Sequence, residues 1–516
     1  MIVIGDSQLT IGLIAKCLYE NERIEISEHA IERVIKNHRF LNDFSKDKII
    51  YGINTGFGPM AQYRVSDEDR KILQYNLIRS HCSGTGSPLS PIYVKAAMIV
   101  RLNSFLIGKS GVHESLIHLL RDLINNDITP VVYEHGGVGA SGDLVQLAHL
   151  GLCLIGEGSV CYKGQVLEAA DVFAELNLKP LEIHIREGLA VMNGTSFMTG
   201  IGTVNLIQAS NLLDWSVNAS TLINEVISSY DDYFSQELNE VKLHTGQRDV
   251  ALKIRNRLKG SLLIRSRANH LYKKVDEMYF EDKVQEYYSI RCVPQVLGPV
   301  SDTIDYAVKV IENEINSVND NPVIDQDNNN IYHGGNFHGD YISLEMDKLK
   351  IVITKLAMLT ERQINYLMNN KLNNVLPPFL NKGVLGLNFG LQGIQFTATS
   401  TVAEAQTLSY PMYLHSIPNN NDNQDIVSMG TNAALLCSKV IENAYQVIAI
   451  ELMSLIQAIN ILEITDKLSA HNKEVVHLVQ QAFMPFKEDV PKYREIQLLL
   501  NKIRISTSSV RKEQMI

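Results

Sequence analysis

The sequence predicts a mainly α-helical protein whose long helices pack lengthwise. Three observations carry that expectation. Apolar residues recur at steps of three and four over long spans, the signature of a helix with a buried face. Strand signals are few, short and close to loops. Hydrophobic residues make up 45% of the 516, ample for a large core.

The elements follow in chain order. Ser66 and Asp69 open a helix that carries "LQYNLIRSH" and stops at Gly84. Ser and Asp accept from the free N–H groups of a first turn, and Gly suits the turn past a last one. "SVCYKG" and "GQVLEA" (159–169) form a hairpin. A long helix lies near 200–228. In 301–318 Ile304, Val308, Ile311, Ile315 and Val318 make one stripe, Ser301 and Asp302 start the helix, and "NDNP" (Asn319 to Pro322) stops it. "NPVIDQDNNNIYHGG" (321–335) is a second hairpin around an asparagine turn. In 341–367 Ile342, Met346, Leu349, Ile353 and Leu356 form one stripe, and Leu344, Ile351 and Met358 a second. So wide an apolar circumference predicts a helix buried inside a bundle. The last long helix runs from about Asn432 to Leu462, with Val440, Ala444 and Val447 on its faces and Glu451 and Ser454 among them. No linker cuts the chain, which leaves one large domain or two interleaved ones.

Charge and cysteine content narrow the function. A net charge of −10 argues against nucleic-acid binding, which needs a basic face. Cys17, Cys82, Cys153, Cys161, Cys292 and Cys437 are scattered, with no C-x-x-C pair and no zinc-like spacing to His. They are expected to be reduced core thiols of a cytoplasmic protein, and no metal is expected. Asp6 stands ahead of the first apolar run without a basic leader, a poor signal peptide. No stretch of ~18 apolar residues is free of charge, so no membrane span is expected.

The loops are where a helical protein keeps its chemistry. "GGVGASGDLVQL" (Gly136 to Leu147) crowds four glycines around Ser141. No lysine completes a phosphate loop, and no recognisable His–Asp motif partners the serine as a hydrolase requires. "YGINTGFGPMA" (Tyr51 to Ala61) sets three glycines about Asn54 and Thr55 and reads as a series of surface turns. His81 sits in the last turn of its helix, where a histidine ordinarily complements the dipole. Asn193 precedes Gly194 as turn asparagines do. Gln285, Tyr288 and Arg291 step by three and would share one face of a helical turn. Arg291 can clamp a carboxylate through two N–H groups, although a surface ion pair is the commoner use of a lone Arg. Phe337 lies in "HGGNFHGDY", and Asn423, Gln424 and Asp425 lie in "PNNNDNQDIVSMG", just before the last long helix, as caps or turns.

Each segment is weak alone. Taken in order, "YGINTGFG", "GGVGASGDL", "MNGTS", "YSIRCVPQ", "NDNP", "GGNFHG" and "NQDIVSMG" make the chain resemble the aromatic amino acid ammonia-lyases and histidine ammonia-lyases almost end to end. The resemblance implies a long-helix bundle of the histidine ammonia-lyase and fumarase-like type with a smaller mixed N-terminal domain. Residues 1–200 would carry the reactive loop, and 201–516 the central and C-terminal helices. It implies a homotetramer whose active sites draw on several chains, with Arg291, Phe337 and Gln424 approaching from neighbours. It also implies that Ala140, Ser141 and Gly142 cyclise to 4-methylidene-imidazol-5-one (MIO), with no metal or diffusible cofactor. In that closure the Gly142 nitrogen attacks the Ala140 carbonyl carbon and two waters leave. The residue types suit it: an unhindered nitrogen, a carbonyl with little cover, and a hydroxyl that departs.

The same resemblance assigns roles. Tyr51 would take the β-proton, and since a phenol has a reference pKa of ~10 it needs local help. Asn193 and Tyr288 would stand beside the electrophile, Arg291 would hold the substrate carboxylate, Gln285 would support the site and Phe337 would wall it. His81, Asn423 and Gln424 would meet the substrate. His81 permits a polar ring, because an unpaired buried imidazole costs ~1–3 kcal/mol. Gln424 stands where histidine ammonia-lyases carry a glutamate, and a neutral amide suits an uncharged ring. The expected substrate is L-tyrosine, giving trans-p-coumarate and ammonia, and the chain looks most like bacterial tyrosine ammonia-lyases. Histidine ammonia-lyase and tyrosine 2,3-aminomutase remain open alternatives, since many tyrosine lyases place the histidine one step earlier, followed by Leu.

Overall fold

The computed structural model describes residues 1–46, 48–273, 276, 278–280 and 283–505. The chain forms two compact units, each assembled from three stretches. The first gathers Met1–Ile207, Ala307–Asp347 and Pro411–Ser438. The second gathers Gln208–Tyr306, Lys348–Tyr410 and the chain from Lys439 onward.

The helices that place the site, labelled in chain order, are α1 (Arg70–His81), α2 (Pro91–Leu106), α3 (Leu144–Leu154), α4 (Glu187–Met192), α5 (Ser196–Val226), α6 (Val293–Ile315), α7 (Asp340–Met368) and α8 (Gly430–Leu462). The two expected hairpins are present. β1 (Ser159–Tyr162) pairs antiparallel with β2 (Gln165–Glu168), and β3 (Val323–Asp325) with β4 (Asn330–Tyr332). A parallel pair, Ile2–Ile4 with Ile24–Ile26, was not legible, because three residues are too few to show a period.

The long helices meet expectation with three differences. α6 begins eight residues before Ser301 and contains Pro299. The buried positions Val293, Leu297 and Val300 continue the stripe of Ile304, Ile311 and Ile315 backwards, and that packing outweighs the start signal of Ser301-Asp302. Val318 lies beyond the helix end. On α1 the helix stops at His81, three residues short of Gly84, because Cys82 and Ser83 turn back onto the carbonyls of Arg79 and His81. On α7 the stripe Ile342, Met346, Leu349, Ile353 and Leu356 is buried, but Leu344 and Ile351 of the second stripe stay 40% and 47% exposed. The chain alone covers one face of α7, not two.

α8 is long and apolar enough to cross a membrane by composition, yet 78% of its apolar window is buried within the fold, as in a core helix. Ser454 satisfies its hydroxyl on the Ile450 carbonyl at 2.8 Å. Glu451 is fully buried, and burial holds its carboxyl well above the ordinary carboxylate range.

Helix α2 is buried continuously from Ala96 to Leu106. α5 approaches it at Gly200, where an added Cβ would lie 2.4 Å from the Ala97 nitrogen. Gly200→Ala would gain about 1 kcal/mol of helix propensity. Overpacking costs ~1–3 kcal/mol, and the obstacle is backbone, which cannot rotate aside. The variant is expected to unfold at lower urea concentration than the parent. An unchanged or higher midpoint would show that the two helices can part without cost.

Candidate active site

A cavity of about 530 Å³ opens in the first unit. Helix α1 contributes Leu73, Asn76, Leu77, Ser80 and His81, which fall on one side because positions three and four apart share a helix face. Leu144 of α3 and Leu189 of α4 join them, and loops supply Tyr51, Phe57 and Gly58; Ser141; Asn193; Asn321; Phe337; and Asn420, Asn423 and Gln424.

Ser141 stands on a tight backbone contact. Gly142 has φ +76° and forms a parallel bridge with Gly194, and the Asp143 N–H donates to the Gly194 carbonyl at 2.8 Å. A Cβ on Gly142 would fall 2.0 Å from that carbonyl oxygen. Only glycine fits there, by conformation and by space. Two amides then grip the serine. Asn193 Nδ2 donates to the Ser141 carbonyl at 2.9 Å, and Gln424 Nε2 donates to the Ser141 hydroxyl oxygen at 2.9 Å. Ala140 is buried beside it.

Below the serine the Asp143 carboxylate is wholly buried. It accepts from the Thr431 hydroxyl at 2.5 Å and from the Met198 N–H at 2.9 Å. Burial nevertheless pushes its pKa up to about 6, against the pull of these donors.

The Tyr51 loop is more than a run of surface turns. The Gly58 N–H donates to the Tyr51 phenol oxygen at 3.1 Å, and the Phe57 ring meets the Tyr51 ring edge-on. One lone pair is thereby occupied and the hydroxyl proton is free to point elsewhere. His81 ends α1 with Nδ1 2.9 Å from the Leu77 carbonyl. A carbonyl only accepts, so Nδ1 carries the hydrogen in that contact. Asn420, Asn421 and Asp422 all have φ between +52° and +58°, a left-handed turn that Asn and Asp tolerate best. It closes on paired backbone bonds between Asn419 and Gln424 and sets Gln424 toward Ser141.

The structure therefore brings together Tyr51, His81, Ser141, Asn193, Phe337, Asn423 and Gln424 from one chain. The expectation that Phe337 and Gln424 approach from a neighbour is corrected for both: Gln424 reaches Ser141 of its own chain, and Phe337 lines the same cavity. Tyr288, Gln285 and Arg291 belong to the second unit and do not line this cavity. Gln285 and Tyr288 border a second one, of about 510 Å³, with Glu286 and Tyr366. Only Tyr288 and Arg291 share a helical turn (Tyr288–Arg291). Gln285 precedes it, so the three do not share a helix face. The Arg291 guanidinium stacks on the Tyr288 ring at 4.7 Å, and its Nε donates to the Glu286 carbonyl at 2.9 Å. Leu73, Asn76, Leu77, Asn321 and Asn420 were missed. The spacing of Leu73, Leu77 and His81 on α1 was the available signal for the first group. Nothing local marks Asn321 or Asn420.

Fold and site together define an enzyme of the lyase class built on long helices. The chain belongs to the aromatic amino acid lyase family, whose model matches residues 9–481. It is 37% identical to the tyrosine 2,3-aminomutase of Chondromyces crocatus over 496 residues, 95% of this chain and 93% of that one. It is 36% identical to the histidine ammonia-lyase of Bacillus subtilis over 517 residues, 100% and 97% of the two chains. The solved tyrosine aminomutase from Streptomyces globisporus superposes with a TM-score of 0.93 at 33% identity, covering 98% of this chain and 96% of that one. The fold is thus that of the histidine ammonia-lyases and aminomutases.

Asp143 predicts a pH dependence of stability. An unfolded aspartate titrates near ~3.9, whereas folded Asp143 holds its proton up to about 6. The folded state binds the extra proton between those values. The group's contribution to stability is therefore complete below ~4 and is lost as pH rises through about 6. Asp143→Asn should remove that segment, so urea midpoints of the parent relative to the variant should fall between pH 4 and 6. Parallel curves would refute the assignment.

Proposed function

We propose that the chain removes ammonia from L-tyrosine to give trans-p-coumarate, with MIO formed from Ala140, Ser141 and Gly142 as its electrophile. The observation that carries the choice of substrate is His81. With Nδ1 tied to the Leu77 carbonyl, Nε2 offers the cavity a lone pair, which a phenol hydroxyl can satisfy. Gln424 in place of a carboxylate leaves the cavity wall neutral, as an uncharged ring prefers.

The three loop residues fit the group. Gly142 already takes the left-handed bend in a place closed to any Cβ, and the serine hydroxyl and carbonyl each have a donor in place. When present, the group supplies an electrophilic methylene that captures the substrate amine and makes nitrogen a leaving group. The side chains do the rest. Tyr51, with its oxygen held by the Gly58 N–H, takes the β-proton. Asn193 keeps the ring oxygen derived from Ser141 in a fixed hydrogen bond. Phe337 and Leu189 limit water. Arg291 would pair with the substrate carboxylate, with Tyr288 and Gln285 beside it, each reaching the cavity from another copy in a homotetramer. Exposed apolar residues such as Phe396 and Leu414, at 66% and 67%, support such an assembly, since a lone chain would leave them wet.

A tyrosine 2,3-aminomutase is the second reading, because the same pocket and the same base would serve it, and one similar protein carries that name and another that of a tyrosine aminomutase. Steady-state assays with purified protein separate the possibilities. L-Tyrosine is expected to have the higher kcat/KM, with p-coumarate accumulating. Accumulating β-tyrosine would replace the lyase by the mutase, and a higher kcat/KM for L-histidine with urocanate formed would overturn the reading of His81 and Gln424. His81→Phe removes the acceptor and should move the L-phenylalanine to L-tyrosine ratio of kcat/KM up by about tenfold or more, the worth of one hydrogen bond. An unmoved ratio would mean that the ring hydroxyl is met elsewhere.

A further inference from the structure

The "NDNP" segment, read from the sequence as a helix stop, does something further. Three of its consecutive residues each hold a different part of a buried network. Asn319 Oδ1 accepts from Arg101 Nη1 at 2.8 Å. Asp320 Oδ2 accepts from Arg186 Nη2 at 2.8 Å, and its Oδ1 accepts from the Ser110 hydroxyl at 3.1 Å. The Asn321 N–H donates to Asn193 Oδ1 at 2.8 Å. Arg101 and Arg186 are both fully buried, and Asp320 nearly so.

We propose that the Arg186–Asp320 ion pair is a positioning device for Asn193: it fixes the Asn319–Asn321 segment so that the Asn193 amide presents its N–H to the Ser141 carbonyl. The inference rests, for its effect on turnover, on the reading of Ser141 as part of the electrophile.

An asparagine amide can turn over, exchanging donor for acceptor. Here both neighbours are backbone groups of fixed polarity. The Asn321 N–H only donates, so it selects Oδ1. The Ser141 carbonyl only accepts, so it takes Nδ2. The orientation holds only while Asn321 stays in place. Its own position is set by Asp320, the residue before it, locked to Arg186, and by Pro322, the residue after it, whose carbonyl accepts from the same Arg186 Nη2 at 2.6 Å. Arg101 holds the other side of the asparagine, donating to the Asn193 carbonyl at 2.6 Å and also to that of Ala190. Gly194 makes this approach possible, since a Cβ there would lie 2.5 Å from both Arg101 Nη1 and Asn319 Oδ1. Arg186 also sits at φ +68°, a conformation a non-glycine residue holds only when its surroundings demand it. Arg101, Arg186 and Asp320 are not among the residues that line the cavity and act through Asn193.

Asp320→Asn and Arg186→Lys test this, alone and with Asn193→Ala. In a crystal structure of Asp320→Asn, Asn321 should withdraw or the Asn193 amide should turn, breaking the bond to the Ser141 carbonyl. This readout stands whatever the enzyme's substrate. Asp320→Asn should lower kcat about tenfold or more with KM for L-tyrosine moved less than about threefold, and should add less than about twofold in the Asn193→Ala background. Arg186→Lys, which keeps the charge, should retain more activity than Arg186→Met. Unbroken Asn321–Asn193–Ser141 bonds in the variant structure, or an equal loss with and without Asn193, would overturn the proposal.

Discussion

The close contact between the backbones of Gly142 and Gly194 is the constraint from which the site follows. Gly139 and Gly142, which flank the Ala140–Ser141 pair, are both packed too tightly to admit a side chain. The same contact places Asn193, one residue before Gly194, beside the serine carbonyl. It also places Asp143, one residue after Gly142, at the buried end of α5. A single pair of small residues thus sets three functional distances.

Holding that contact requires ions in the interior. Arg101, Arg186, Asp143, Glu187 and Asp320 are all buried in the first unit. A buried ion is tolerated only when hydrogen bonds replace its water, and leaving one partner unpaired costs ~3–5 kcal/mol. The arrangement meets most of that condition: backbone carbonyls take Nη groups of both arginines, backbone N–H groups serve Asp143 and Glu187, and Arg186 and Ser110 serve Asp320, while the Nε of Arg101 and of Arg186 is left without a partner among the described residues. Glu187 accepts from the N–H groups of His113 and His184 at 2.7 and 2.6 Å, yet burial still pushes it up to about 7. Such a framework favours one geometry of the loop that carries Ser141 over others.

The cavity above this framework is nearly free of charge. Its polar groups are amides, hydroxyls, a phenol and an imidazole. Arg291 lies in the other unit, its guanidinium over the Tyr288 ring.

The sequence by itself determined the long helices and the reactive loop. α7 and α8 show their period over many turns, and four glycines around one serine mark a loop that can take conformations closed to other residues. It also placed His81 in the last turn of a helix. Tertiary structure decided the rest, because the deciding contacts join distant residues. Packing of Val293 and Leu297 extended α6 past a plausible start. A spacing of three placed Gln285 on a helix face it does not occupy. Asn321 orients Asn193 across 128 positions, and Gln424 reaches Ser141 across 283. Local pattern records which side of an element is apolar. It holds no record of which remote backbone N–H will meet a given amide, and in this site those meetings set the chemistry.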